Sequence, residues 1–198
     1  MIIAADAEFA QAPATKTKHI PGQPDMWFFV LFETLIFTAY FSFYLLYRGQ
    51  HETEFLRDQS QLALGVGVLE TIVLLTSSWS VARCVQRSRA GDYDGAQRAP
   101  LVTGGLGVVF MSLKVGEWVH QIHQGNTFTT SEFFQFYFFL TAIHLLHLLI
   151  GFIVVGVMRY QLSSPQRRSQ ELVETCATYW HTVDYLWVLI FALVYVVR

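Results

Sequence analysis

The sequence predicts an all-α membrane protein, a bundle of five transmembrane helices with the N-terminus cytoplasmic and the C-terminus external. Three observations predict it. Of 198 residues, 53% are hydrophobic and only 14% are charged. The apolar residues also arrive in five blocks, at 26–47, 62–82, 101–122, 133–158 and 176–197. Each meets the roughly 20 helical residues needed to cross a hydrocarbon core about 30 Å thick. Finally, Lys and Arg are distributed unevenly over the connecting segments. Alternate segments beginning with the N-terminus hold Lys16, Lys18, Arg83, Arg87, Arg89, Arg98, Arg159, Arg167 and Arg168, and the others hold only Arg48, Arg57 and Arg198. Basic residues are retained on the cytoplasmic side, which sets the orientation.

Residues 1–25 include "QAPATKTKHIPGQPD", with no apolar core ahead of a small-residue cleavage site, so they do not read as a cleavable signal. They read as a cytoplasmic tail ending in a turn at Pro21, Gly22 and Pro24, with the five-helix domain occupying 26–198. The first span carries ten aromatic residues between Trp27 and Tyr47, and the fourth opens with "FFQFYFF". Such rings pack inside a bundle or lie at the membrane interface. Backbone groups in hydrocarbon must be bonded internally, which makes every span a helix. Turn-forming segments separate the later ones: "RAGDYDGAQRAP", "HQGNTFTTSE" and "SSPQRRSQ". Thr130 and Ser131 are candidate N-caps of the fourth helix. That helix is longer than the bilayer requires and must tilt or project beyond it.

Several function classes are excluded or weakened. A net charge of −2 without a basic stripe argues against nucleic-acid binding. Cys84 and Cys176 fall at the cytoplasmic ends of their helices, where thiols stay reduced and unpaired. No internal repeat marks the inverted halves common in secondary transporters.

The informative residues are the ionisable ones inside the spans: Glu33, Glu70, Lys114, Glu117, His144, His147, His181 and Asp184. Such groups face the bundle interior and take partners. Glu70 and Lys114 both fall about 12 Å below the outer surface at 1.5 Å per residue, which predicts an intramembrane ion pair. The alternative partner for Lys114 is Glu117, one turn on. Nearer the other surface, Glu33 lies about 10 Å deep, with His181 and Asp184 at a similar level. His147 reaches toward that layer and His144 lies closer to the midplane. Glu33, His144, His147, His181 and Asp184 thus form one expected buried polar cluster. It reads first as a hydrogen-bonded clasp between helices and alternatively as a proton relay, since a carboxylate beside imidazoles at low dielectric can exchange protons. Metal binding is disfavoured. A carboxylate-bridged centre would need Glu-x-x-His on two helices, and the single instance, Glu117 with His120, sits at the end of its span. No catalytic, cofactor-binding or metal-ligating residue is assigned.

These residues resemble a family. "PDMWFFVLFETLIFTAYFSFYLLY" looks like the glutamate-bearing, aromatic-rich helix of subunit III of haem–copper oxidases (cytochrome c oxidases). "LETIVLLTSSWSVA" resembles its next helix, with the paired serines at Ser77 and Ser78. "FFLTAIHLLHLLIGF" is similar to the family's T-G-x-H-x-x-H-x-x-x-G pattern, with Ala142 in place of the first glycine. "YWHTVDYLWVLIFALVYVVR" resembles its C-terminal W-H-x-V-D-x-x-W helix. The chain begins where the third helix of the seven-helix form would, and so resembles the short bacterial form. The resemblance implies a subunit of a proton-pumping terminal oxidase with no catalytic centre of its own. It would bind no cofactor directly, with haem and copper in partner subunits and phospholipid at its surface. It would pack on subunit I, with subunit II in the same hetero-oligomer, in the bacterial plasma membrane. Its role would be to stabilise the complex and sustain proton uptake during aerobic electron transport. On this resemblance Glu33 is the buried glutamate, His144 and His147 the histidine pair, and His181 and Asp184 the terminal pair. "LLTSSWSVARCVQ" also looks like the related accessory subunit of nitric oxide reductases. A stand-alone transporter and a metal-binding membrane protein are the readings from other classes.

Overall fold

The computed structural model describes residues 22–197. Among the described residues, five helices are long and apolar enough to cross a membrane. They are built from α1 (Pro24–Gln50), α3 (Leu64–Arg89), α5 (Ala99–His123), α6 (Glu132–Leu162) and α7 (Gln170–Phe191). A one-turn helix, α4 (Tyr93–Ala96), leads into α5, and α7 continues into a π-helical turn at Ala192–Val196. The tail read at 1–25 lies outside the described residues up to position 21.

Local chemistry explains the boundaries. Pro24 and Pro100 stand at the first turns of α1 and α5, where a missing N–H costs nothing. Ser131 caps α6 by accepting from Phe134 N at 3.4 Å, and Ser169 caps α7 by accepting from Leu172 N at 3.3 Å. Thr130, the other expected cap, instead donates to Gly125 O at 3.1 Å and closes the preceding turn. One connection departs from the sequence reading. Residues between the first two spans form α2 (Glu52–Gln59), a charged helix whose Phe55 is buried against Tyr44 and Phe133. A two-turn helix with one apolar anchor leaves little periodic signal, and it forms because α6 offers that anchor a pocket.

The core lies among α3, α5, α6 and α7, with α3 packed on α5 and α7, and α6 on α7 and α5. The α7 helix runs through the centre and carries the fully buried Trp180 and Trp187. Gly151, the last glycine of the histidine-bearing segment, lets Trp180 approach: a Cβ there would meet the indole at 3.0 Å. Small residues let ring and backbone meet closely in this way inside membranes. The α1 helix is peripheral, touching α2, α6 and α7 and exposing Phe28, Leu31, Phe32 and Leu35.

The π turn is set by Val197 N donating to Ala192 O at 2.9 Å. Such turns displace carbonyls from the regular ladder. Tyr44 Oη donates to Leu193 O at 3.2 Å, and Gln59 Nε2 donates to Val194 O and Val197 O, both at 3.0 Å. The irregular end of the last helix is therefore satisfied by α1 and α2.

Candidate functional site

The ionisable residues of the interior fall into three settings. The first joins α3, α5 and the π turn. Lys114 and Glu70 are completely buried, with Lys114 Nζ 2.8 Å from Glu70 Oε2. Lys114 Nζ also donates to Glu117 Oε2 at 2.6 Å and to Tyr195 Oη at 2.7 Å. Tyr195 Oη donates to Glu117 Oε2 at 2.7 Å. Both carboxyl groups considered for Lys114 thus meet it at once, Glu117 as a hydrogen-bond acceptor and Glu70 at ion-pair distance. The ammonium further lies 4.7 Å from the centre of the Trp187 ring, within cation–π range.

The second setting lies between α1 and α6. His147 Nε2 is 3.3 Å from Glu33 Oε2, and both side chains are 13% exposed. His147 Nδ1 lies 2.9 Å from Ile143 O, and Tyr179 Oη donates to His147 O at 3.1 Å. A carbonyl only accepts, so the proton of Nδ1 is committed to Ile143. The Nε2–Glu33 contact therefore needs a proton of its own, on either the imidazole or the carboxyl.

The third setting joins α3 and α7. Ser78 Oγ lies 2.6 Å from His181 Nδ1, and buried Asp184 sits beside Ser78. One residue earlier, Ser77 Oγ accepts from Trp180 Nε1 at 3.0 Å. The adjacent serines serve different partners because neighbours on a helix point about 100° apart.

The single cluster expected of Glu33, His144, His147, His181 and Asp184 is therefore divided. His144 is completely buried, with no hydrogen-bond partner for either ring nitrogen among the described residues. It packs edge-on to Phe110 at 5.5 Å and against Trp187 at 5.1 Å. Three residues turn a helix by about 300°, so His144 and His147 diverge by about 60° and enter different interfaces. Among the described residues no group of three His, Cys, Asp or Glu side chains is placed to hold a metal ion.

The sequence reading missed Tyr195, the hydroxyl that ties Lys114 to Glu117. Within "ALVYVVR" it looks like one more apolar residue. Tyr137 was passed over in the same way as part of "FFQFYFF", yet its ring lies 5.7 Å from Lys114 Nζ.

A five-helix membrane bundle whose polar side chains engage one another defines a multi-pass membrane protein with a structured ionic interior. Comparison with known proteins gives its lineage. Residues 15–197 match the family model described as cytochrome c oxidase subunit III. The chain is 26% identical to the cytochrome c oxidase subunit 3 of Thermostichus vulcanus over 195 residues, covering 94% of this chain and 95% of that protein. It is 28% identical to the quinol oxidase subunit 3 of Bacillus subtilis, covering 85% of this chain and 83% of the relative. Against the cytochrome c oxidase subunit 3 of Synechocystis it is 30% identical, covering 88% and 77%. The chain belongs to the cytochrome c oxidase subunit III family.

Proposed function

We propose that this chain is the non-redox subunit III of a bacterial respiratory haem–copper oxidase. It packs on subunit I, with subunit II in the same hetero-oligomer, and sustains proton uptake by subunit I during aerobic electron transport. Haem and copper reside in the partner subunits, and phospholipid covers the exposed apolar face of α1. The bundle sits in the bacterial plasma membrane with its N-terminus cytoplasmic, in keeping with the basic residues near Arg89 and Arg167.

The observation that carries the proton-supporting role is the Glu33–His147 contact at 3.3 Å. It lies at the margin of α1, where both side chains are partly exposed and an imidazole and a carboxyl group are close enough to pass a proton between them. Glu70 and Lys114 pair α3 with α5, and His181 meets Ser78 between α7 and α3, with Asp184 buried beside them; we assign these residues to holding the bundle in shape.

The test is a tagged pull-down in mild detergent, read by visible spectroscopy and peptide mass spectrometry. Co-purification of haem, copper and oxidase subunits I and II is the expected result. Haem b and non-haem iron with a nitric oxide reductase core would move the chain to that assembly. A colourless, partnerless protein would overturn the proposal. Within the complex, Glu33→Gln should keep the haem content while slowing proton uptake or shortening the turnover lifetime. Uptake and lifetime equal to the native complex would remove the proton role and leave the scaffolding one.

A further inference from the structure

We propose that Glu70, Lys114, Glu117 and Tyr195 form a proton-holding site that exchanges with the aqueous phase through a groove beside Gly116. The first observation is charge stoichiometry. Two carboxyl groups, Glu70 Oε2 and Glu117 Oε2, share the single ammonium of Lys114 at 2.8 and 2.6 Å. A buried charge without a counter-ion is strongly disfavoured. The group is neutral when one of its two acids carries a proton, shared between Glu70 on α3 and Glu117 on α5.

The second observation is hydrogen-bonding capacity left over. Both oxygens of Glu70, Glu117 Oε1 and Tyr137 Oη are buried and have no hydrogen-bond partner among the described residues. The titratable groups facing the site are Tyr195 from the π turn and Tyr137 from α6, with His144 one layer further in. His120 lies at the groove on the open side.

The third observation is access. A groove of about 400 Å³ lies between the start of α3 and α5, lined by Gln61, Ser112, Gly116, Glu117, His120 and Gln121 among others. Its polar rim ends on Glu117, one of the two acids. Gln121 Nε2 donates to Gln61 O at 3.1 Å and Asn126 Nδ2 donates to Gln61 Oε1 at 2.8 Å, which holds the rim in place. Trp187 packs over the ammonium on the inner side, and on the other side the groove runs from Glu117 to Gln61, His120 and Gln121 at the end of α5, which is the path to water in this proposal. Protons enter and leave at Glu117 and are shared with Glu70 through Lys114 and Tyr195. Nothing in this depends on the subunit's role in an oxidase, since the site is complete within one chain.

The test is infrared spectroscopy of the tagged full chain with its co-purifying partners, in H₂O and D₂O, with and without ¹³C-carboxyl glutamate. A protonated glutamic acid C=O band that moves with the label and with deuterium is expected. Glu70→Gln or Glu117→Gln, each subtracted from the native spectrum, should remove it. Gly116→Leu keeps both acids, and its Cβ meets nothing within 4 Å; its side chain projects into the groove beside Glu117 and should slow deuteration of the band at least tenfold. No glutamic acid band lost in either Gln variant would overturn the proposal, as would deuteration in Gly116→Leu at the native rate. Should the Gln variants fail to fold, the labelled native protein and Gly116→Leu decide alone.

Discussion

Replacing Lys114 by Met should be among the most destabilising single changes in the bundle, with a size that follows from the geometry. The ammonium makes contacts at 2.8 and 2.6 Å with two carboxyl groups, which share one negative charge between them. At an effective dielectric near 20, that one charge has a gross Coulomb energy of about 6 kcal/mol with the ammonium. Desolvation offsets most of that, and breaking a buried pair by removing one partner costs about 3–5 kcal/mol. Methionine fills nearly the same volume, so cavity formation adds little and the loss is electrostatic. Coupled variants separate the causes. Lys114→Met combined with Glu70→Gln and Glu117→Gln should recover most of the loss, because no unpaired charge then remains. The assay is unfolding of the purified protein by SDS titration, followed by circular dichroism. A Lys114→Met variant within about 0.5 kcal/mol of the native protein would refute the reasoning, since surface substitutions cost no more. So would a triple variant no more stable than the single one.

Other consequences are checked with the same material. Trp180→Phe should lower stability by about 1–3 kcal/mol, through the lost bond to Ser77 Oγ at 3.0 Å and the void left beside Gly151. Gly67→Leu should be worse tolerated than Gly116→Leu, since a Cβ at position 67 would meet the Tyr195 ring at 2.9 Å; thermal unfolding ranks the two. Gln59→Leu should accelerate amide deuterium exchange across Ala192–Val196, because its amide holds the carbonyls of Val194 and Val197; unchanged exchange there would show that α2 does not brace the π turn. Glu174→Ala should speed exchange at Gly22, whose N–H it accepts at 3.3 Å, and leave the far end of the bundle unaffected.

The five spans are legible in the sequence because lipid imposes one requirement on all of them, a continuous apolar run. Glu70 and Lys114 are legible as a pair because depth is nearly linear in residue number along a helix, and charges at matching depth in adjacent spans have few other partners. Azimuth is harder. His144 and His147 share a depth range, and only the packed bundle shows that one faces Glu33 while the other faces Phe110 and Trp187. Tyr195 is harder again, since its hydroxyl reaches Lys114 from a π turn that no apolar periodicity encodes. The α2 helix escapes notice for the opposite reason, being charged and short with Phe55 as its single anchor.

The loose attachment of α1 has a consequence for how the chain is made. Of the five spans this one is made before the others, yet His147, the partner of Glu33, follows more than a hundred residues later. At about 5–20 residues per second, Glu33 waits roughly 6–20 s before that imidazole exists. Its anchors at Glu174, Thr175 and Leu193 arrive later still. The oldest helix is thus the last to dock, and until then a carboxyl group must be sheltered in the membrane by the insertion machinery, by lipid headgroups or by its own proton. The order of synthesis and the order of packing run in opposite directions, and Glu33 is the residue exposed to the delay.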